Sequence, residues 1–77
     1  MAQEVEHPKT AEEYVQLGNR LRKRGQPVEA CKAYSKATEL APGSAAAFSN
    51  WGDVLLRRSE YSAAVDKYLK AIKMRML

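Results

Sequence analysis

Apolar and polar residues follow the period of amphipathic helices along most of the chain. In the first such segment, apolar side chains recur three or four positions apart, at Tyr14, Leu17 and Leu21. This spacing places them on one face of a helix. Gly25 and the Pro42-Gly43 pair interrupt the pattern, and similar segments follow each break. The pattern therefore predicts an all-α fold of four helices joined by short turns.

Capping signals set the expected ends of the first two helices. Thr10 and Glu13 form a T-x-x-E capping box, so the first helix should begin near Ala11. Gly25 follows three cationic residues, which is typical of a helix C-terminus. Pro27 suits the first turn of a second helix. That helix should run to the Pro42-Gly43 breaker.

Two serines mark the expected starts of the remaining helices, because a serine side chain can accept a hydrogen bond from the first turn. Ser44 should cap a third helix over residues 45–58. Ser59 should cap a fourth helix that runs from residue 60 to the C-terminus.

The chain contains one unit twice. A shift of 34 residues aligns residues 11–42 with residues 45–76 without a gap. Each unit therefore reads as one helical hairpin, the first over residues 11–44 and the second over residues 45–77, after a lead-in at 1–10. The identical pairs are Ala11 and Ala45, Gly18 and Gly52, Leu21 and Leu55, Arg24 and Arg58, Ala30 and Ala64, Tyr34 and Tyr68, Lys36 and Lys70, and Ala37 and Ala71.

The repeated pattern resembles the tetratricopeptide repeat, a helix-turn-helix unit of about 34 residues. The second unit departs from it at Trp51, where leucine is usual, and at Met76-Leu77, where proline would stand. The resemblance implies a right-handed superhelical stack of hairpins, here two repeats without a capping helix. The matching residues are Tyr14, Leu17, Gly18, Leu21, Ala30, Tyr34, Ala37 and Pro42 in the first unit, and Phe48, Gly52, Leu55, Ala64, Tyr68 and Ala71 in the second.

Gly18 and Gly52 each stand in the middle of a predicted helix, where glycine costs about 0.5–1 kcal/mol relative to alanine. We expect them, with Ala30 and Ala37, to let the paired helices approach closely. A large residue at either glycine should then disrupt the hairpin by overpacking. The four aromatic residues expected to fill the core, rather than to form a stacking platform, are Tyr34, Phe48, Trp51 and Tyr68.

Composition narrows the class of protein. The chain has 77 residues and a net charge of +4, which suits one small domain with a weak preference for acidic partners. No apolar run approaches the ~20 residues that span a bilayer. The single cysteine, Cys31, fits a reducing, cytoplasmic setting and is expected to be a small buried residue rather than a reactive thiol. No catalytic, cofactor or metal-binding constellation is present, so we expect no enzyme and no cofactor.

The resemblance implies a concave groove, lined by the first helix of each repeat, that holds a partner's peptide. Asn19 and Asn50 look like the asparagines that chaperone-binding members place against a terminal carboxylate. Val15 replaces the lysine of that clamp, and its other basic residues would come from a third repeat, so a complete clamp is not expected. The candidate groove residues are Glu12, Val15, Asn19, Arg22, Ser49, Asn50, Asp53 and Arg57.

Basic residues close both first helices and should converge on one edge of the stack. They could simply compensate the helix dipole and aid solubility. They could also dock an acidic protein or, as the alternative function, bind nucleic acid. The members of this basic edge are Arg20, Lys23, Arg24 and Arg58, beside the groove residues Arg22 and Arg57.

The last helix carries an apolar face wider than one neighbour requires. An exposed patch of this kind implies self-association, a partner, or a piece of a longer array. A membrane role for this basic, apolar tail explains it less simply. We therefore predict a non-catalytic protein-interaction module that also self-associates through the residues Val65, Leu69, Ile72 and Met76.

Overall fold

The computed structural model describes residues 7–76 and confirms the four predicted helices. Residues 1–6 of the predicted lead-in, and Leu77, lie outside the described residues, while residues 7–10 precede the first helix without helical structure. Within the described part of the chain there is no strand, as the all-α prediction requires. The helices are α1 (Ala11–Lys23), α2 (Pro27–Leu40), α3 (Ala45–Arg57) and α4 (Tyr61–Met76).

The predicted capping box at the start of α1 is confirmed. The Glu13 N–H donates to Oγ1 of Thr10 at 3.1 Å. In return, Oε1 of Glu13 accepts from the backbone N–H groups of Lys9 and Thr10 at 2.8 and 3.2 Å. These two backbone bonds are the main reason that the pKa of Glu13 lies below its ordinary value. Ser44 caps α3 as predicted, because its Oγ accepts from the Ala47 N–H at 3.2 Å.

The prediction that Ser59 caps α4 is wrong. Ser59 has a φ of 63°, in the left-handed region, as does Gly25 with 76° at the equivalent position of the first hairpin. The Glu60 N–H donates to the Leu55 carbonyl at 2.9 Å, a bond typical of the Schellman motif that ends a helix. Ser59 therefore terminates α3, and α4 begins at Tyr61.

The helices pack as two antiparallel hairpins, α1 against α2 and α3 against α4, and the hairpins meet where α2 contacts α3. Most of the buried side chains are small, which allows the helix axes to lie close together. Tyr34 and Val54 are the largest side chains that are fully buried. The other buried hydrophobic residues are Ala30, Ala33, Ala37, Ala47, Leu55, Ala64 and Ala71.

The two helical glycines lie directly against the tyrosines of the partner helices. A Cβ atom added at Gly18 would stand 2.5 Å from Cε1 of Tyr34, and one added at Gly52 would stand 2.9 Å from Cε1 of Tyr68. Real Cβ atoms do not approach a ring carbon this closely. The predicted close approach of the paired helices is therefore confirmed, and the aromatic ring occupies the space that a side chain would need.

The core prediction for the other aromatic residues is only partly correct. Phe48 and Trp51 are half-buried, as is Tyr68. The Phe48 and Trp51 rings stack on each other, with centroids 6.4 Å apart. Nζ of Lys67 lies 4.0 Å from the Trp51 ring centroid, within range of a cation–π interaction. The outer side of this pair is thus covered by a lysine of α4 and not by apolar core.

Cys31 is also half-buried rather than buried. It packs beside Trp51 at the edge of the core. Burial is the main reason that the pKa of its thiol lies above the ordinary value. Since the thiolate is the reactive form, a raised pKa agrees with the predicted structural role over a reactive one.

The glycine contacts predict unequal effects of alanine. Gly18→Ala should lower the free energy of unfolding by about 1–3 kcal/mol, because the buried Tyr34 ring has no room to move. Gly52→Ala should cost less, because the contact is looser and Tyr68 is only half-buried. Denaturant unfolding measures both. Gly43→Ala is the control, since its Cβ would meet only the Met74 sulfur, at 3.9 Å. Equal losses at Gly18 and Gly43 would contradict the packing argument.

Candidate functional site

The groove predicted from the sequence would lie along α1 and α3, the first helices of the two hairpins. α1 and α3 are in direct contact, and an ion pair joins them where Nη1 of Arg22 lies 3.9 Å from Oδ2 of Asp53. Glu12 and Arg57 are exposed, whereas Val15 is half-buried and packs against the core. The other candidate groove residues are half-buried, namely Asn19, Arg22, Ser49, Asn50 and Asp53.

Two groove side chains are held by tyrosines of the second helices. The Tyr34 hydroxyl donates to Oδ1 of Asn19 at 2.6 Å. The Tyr68 hydroxyl donates to Oδ1 of Asp53. Asn19 and Asp53 are equivalent under the 34-residue shift, as are the two tyrosines. Both hairpins therefore use one arrangement, in which the ring packs on a glycine and the hydroxyl positions the next residue along the helix.

This role of the tyrosines was missed at the sequence level. The repeat alignment already contained the signal, because a hydrogen-bond acceptor recurs directly after each helical glycine and a tyrosine recurs 15 or 16 residues later. For Asn19 the sequence indicated either a peptide contact or a solvated polar position on the groove face. In the structure Oδ1 of Asn19 accepts a hydrogen bond from the Tyr34 hydroxyl, and Nδ2 of Asn19 has no hydrogen-bond partner within residues 7–76.

The two acceptors differ in charge. At Asp53 the hydrogen bond to the carboxylate is the largest of the causes that raise the pKa of Tyr68 to about 12, followed by burial. At Asn19 the acceptor is a neutral amide, and burial is the main cause of the raised pKa of Tyr34. The second hairpin thus presents a carboxylate to the groove where the first presents an amide.

Arginines from both predicted surfaces line one pocket between the hairpins. Arg22, Arg57 and Arg58 surround an open pocket of about 220 Å³ whose other walls include Val54 and Pro27. Of the four residues predicted for the basic edge, only Arg58 lines this pocket. Lys23 and Arg24 are exposed, and Arg20 is half-buried with Nε and Nη2 shielded from solvent.

The apolar face predicted on α4 is exposed. Its four residues show between 52 and 80% of their surface. The same face, with Asp66, Lys70 and Lys73, borders a shallow hollow of about 410 Å³. On α2 the position equivalent to Val65 has a neighbour, since Cys31 lies against Trp51 of α3. α4 has no such neighbour within the described residues. The face comprises Val65, Leu69, Ile72 and Met76.

Within residues 7–76, no helix combines the length and the apolar character needed to cross a membrane. The same residues contain no group of three or more His, Cys, Asp or Glu side chains that could hold a metal ion.

The hydrogen bond between Tyr68 and Asp53 predicts a pH dependence. Because the pKa of Tyr68 is about 12 in the folded chain and about 10 in an unfolded one, folding favours the neutral phenol. The resulting stabilisation is fully present below pH ~10 and is lost as the pH rises toward ~12. Denaturant unfolding at a series of pH values should show this decline.

Asp53→Asn tests the cause, since it converts the acceptor into the amide that the first hairpin uses. In this variant, the part of the tyrosinate absorbance titration that occurs at the highest pH, where Tyr68 ionises, should move to lower pH. Tyr68→Phe is the control and should remove the contribution of Tyr68 to that part, leaving that of Tyr34. A titration of Asp53→Asn that matches the unchanged protein would show that the carboxylate does not raise the pKa of Tyr68.

Comparison with known proteins identifies the first hairpin. Residues 11–44 match the model of the tetratricopeptide repeat family, and these are the bounds predicted for the first unit. No curated protein matches the chain. The hairpin of α3 and α4 repeats the same glycine–tyrosine contact and the same hydroxyl bond, so four helices fit two such units. Repeats of this family generally serve as protein-interaction modules. The match to the tetratricopeptide repeat family thus covers the first hairpin, formed by α1 and α2.

Proposed function

We propose that this protein is a non-catalytic interaction module that holds a segment of a partner protein in the groove between α1 and α3. The observation that carries the proposal is the pair of tyrosine hydroxyls that position Asn19 and Asp53 from behind. Side chains fixed in advance lose less conformational entropy when a ligand binds. A groove with a positioned amide and a positioned carboxylate is suited to an extended polypeptide.

The hydrogen-bonding capacity of the groove matches a peptide backbone. With Oδ1 of Asn19 occupied by Tyr34, its Nδ2 group is left as a donor for a backbone carbonyl of the ligand. Asn50 adds a second amide on α3, half-buried in the same groove. The ion pair of Arg22 with Asp53 joins α1 to α3, the two helices that line the groove.

Charge favours an acidic partner, and the cysteine content favours a reducing setting. The chain has a net charge of +4, and the groove ends among arginines, so complementary acidic segments should associate faster than neutral ones. The single Cys31 has no partner for an internal disulfide, which favours an intracellular, cytoplasmic module. The alternative of a nucleic-acid-binding hairpin rests on this charge alone and is an outcome of the test below.

The groove is tested with peptides selected from a random display library, whose affinity is then measured by fluorescence polarisation. Asn19→Asp keeps an acceptor for Tyr34 but removes the Nδ2 donor, so the chain should fold while peptide affinity falls. Asn50→Ala should weaken binding as well. Glu39→Gln on the outer surface of α2 is the control and should bind like the unchanged protein. An Asn19→Asp, Asn50→Ala double variant with unchanged affinity would remove both from the site.

A random-sequence RNA provides the second arm of the same experiment. An interaction module for proteins should bind selected peptides more tightly than the RNA at physiological salt. Tighter binding of RNA, with the steep salt dependence of several phosphate contacts, would replace the proposal with the nucleic-acid alternative.

We also propose self-association through α4, because its apolar face is exposed where the equivalent face of α2 is covered by α3. A second copy of the chain can cover it by packing its own α4 in the antiparallel direction. Asp66 lies in the first half of α4, and Lys73 and Arg75 lie in its last turns. Antiparallel packing would bring the acid of each copy toward the bases of the other and would oppose the helix dipoles.

Sedimentation at micromolar concentration tests this association. The unchanged protein should show a dimer, and Leu69→Glu should give a monomer because it places a charge in the centre of the face. Val28→Glu introduces the same side chain at an exposed position of α2 and should leave the dimer intact. A stable, strictly monomeric chain would contradict the proposal.

A further inference from the structure

We infer that the pocket at the end of the groove binds an acidic side chain of the partner segment, an Asp or Glu next to an apolar residue. The pocket is bordered by Arg22 of α1, by Arg57 and Arg58 at the end of α3, and by Pro27 at the start of α2. It therefore lies at the seam between the hairpins. This inference rests on the proposed function, because it specifies what the groove would select in a partner.

Two of the three guanidinium groups are positioned by acids beside the pocket. Nε of Arg58 lies 2.7 Å from Oε2 of Glu60, and Arg22 is paired with Asp53 at 3.9 Å. Asp53 is in turn held by the Tyr68 hydroxyl. A guanidinium has five N–H donors, so one ion pair holds the group in place and leaves donors for a ligand.

Arg57 supplies the charge that the pocket does not neutralise. It is exposed, and no hydrogen bond or ion pair engages it within residues 7–76. Three guanidinium groups with two adjacent carboxylates leave a net charge of one at the seam, which a single carboxylate would balance. Carboxylates are also the partners that arginine binds with the best geometry.

The floor of the pocket defines the neighbouring residue of the ligand. Pro27, which is half-buried, lines the pocket together with Gly25 and the buried Val54. A volume of about 220 Å³ is smaller than the ~300–1,000 Å³ of drug-sized pockets and suits one side chain. A carboxylate bound by the arginines, with an aliphatic group on this floor, uses both halves of the pocket.

The size and charge of the pocket argue against nucleic acid as its ligand. Proteins that depend on phosphate contacts typically neutralise about 6–10 phosphates along a strand. Here two of the three arginines already share their charge with Asp53 and Glu60, and the floor is apolar. The pocket is therefore suited to one carboxylate and not to the phosphate backbone of a nucleic acid.

The probe for this site is the blocked dipeptide N-acetyl-Leu-Glu-amide, titrated into the full chain and followed by the Nε–H resonances of arginine in NMR spectra. The resonances of Arg22, Arg57 and Arg58 should shift together at millimolar peptide, while that of Arg75 at the far end of α4 should not. N-acetyl-Leu-Gln-amide has the same shape without the charge and should produce no comparable shift. Equal shifts with both dipeptides, or none with either, would overturn the inference.

A charge-matched pair of variants locates the site. Arg57→Gln should weaken binding of the Glu dipeptide by up to about fivefold, the upper end for an exposed ion pair. Lys23→Gln removes one charge at the equivalent position of α1, outside the pocket, and should bind as the unchanged protein does. Equal losses in the two variants would show that only the overall charge attracts the ligand.

The outcomes separate this inference from the proposed function. One outcome is that selected peptides bind the groove with an affinity that Arg57→Gln does not change. That result would support the proposed interaction module and would contradict the binding of an acidic side chain in the pocket. Shifts with the Glu dipeptide, without any selected peptide that binds, would sustain the pocket and overturn capture in the groove. A random-sequence RNA that shifts the same three resonances, and competes fully with the dipeptide, would identify the pocket as part of a nucleic-acid surface.

Discussion

The contact between a helical glycine and a tyrosine ring determines how each hairpin of this protein is built. The Cβ that every other residue would bring to position 18 or 52 has no space there. The loss of helix propensity at glycine is about 0.5–1 kcal/mol, and the burial of a large aromatic ring against the bare backbone offsets it. The close approach also explains the alanine-rich interior, since larger side chains at those positions would hold the helices apart.

The same tyrosines connect the core to the surface of α1 and α3. A ring that packs against Gly18 or Gly52 brings its hydroxyl to the following residue, Asn19 or Asp53. The position of these groove side chains is therefore set by packing on the opposite side of the helix. In the second hairpin the chain of contacts extends from Tyr68 through Asp53 to Arg22, so the hydrogen bond behind the groove reaches the arginine pocket at the seam.

The two hairpins share a plan but differ where their surroundings differ. The face of α2 is covered by α3, whereas the matching face of α4 is exposed and carries longer apolar side chains. The turn after α1 has Gly25 in the left-handed region, and the turn after α3 uses Ser59 in the same conformation. A left-handed conformation is costly for serine, so the presence of Ser59 shows that the hydrogen bonds closing α3 outweigh the local preference.

The sequence by itself determined the four helices, the repeat, the glycine contacts and the apolar face of α4, because these follow from spacing along one helix or from one fixed shift. It did not reveal that Ser59 ends α3, since serine is far commoner as an N-cap than in the left-handed region. Nor could it show that the Tyr34 hydroxyl donates to the side chain of Asn19. It also could not show that Arg22 lines a pocket with Arg57 and Arg58, whereas Lys23 and Arg24 do not line it. Those pairings connect different helices. They depend on the distance and rotation between helix axes, which side-chain packing decides only when the tertiary structure forms.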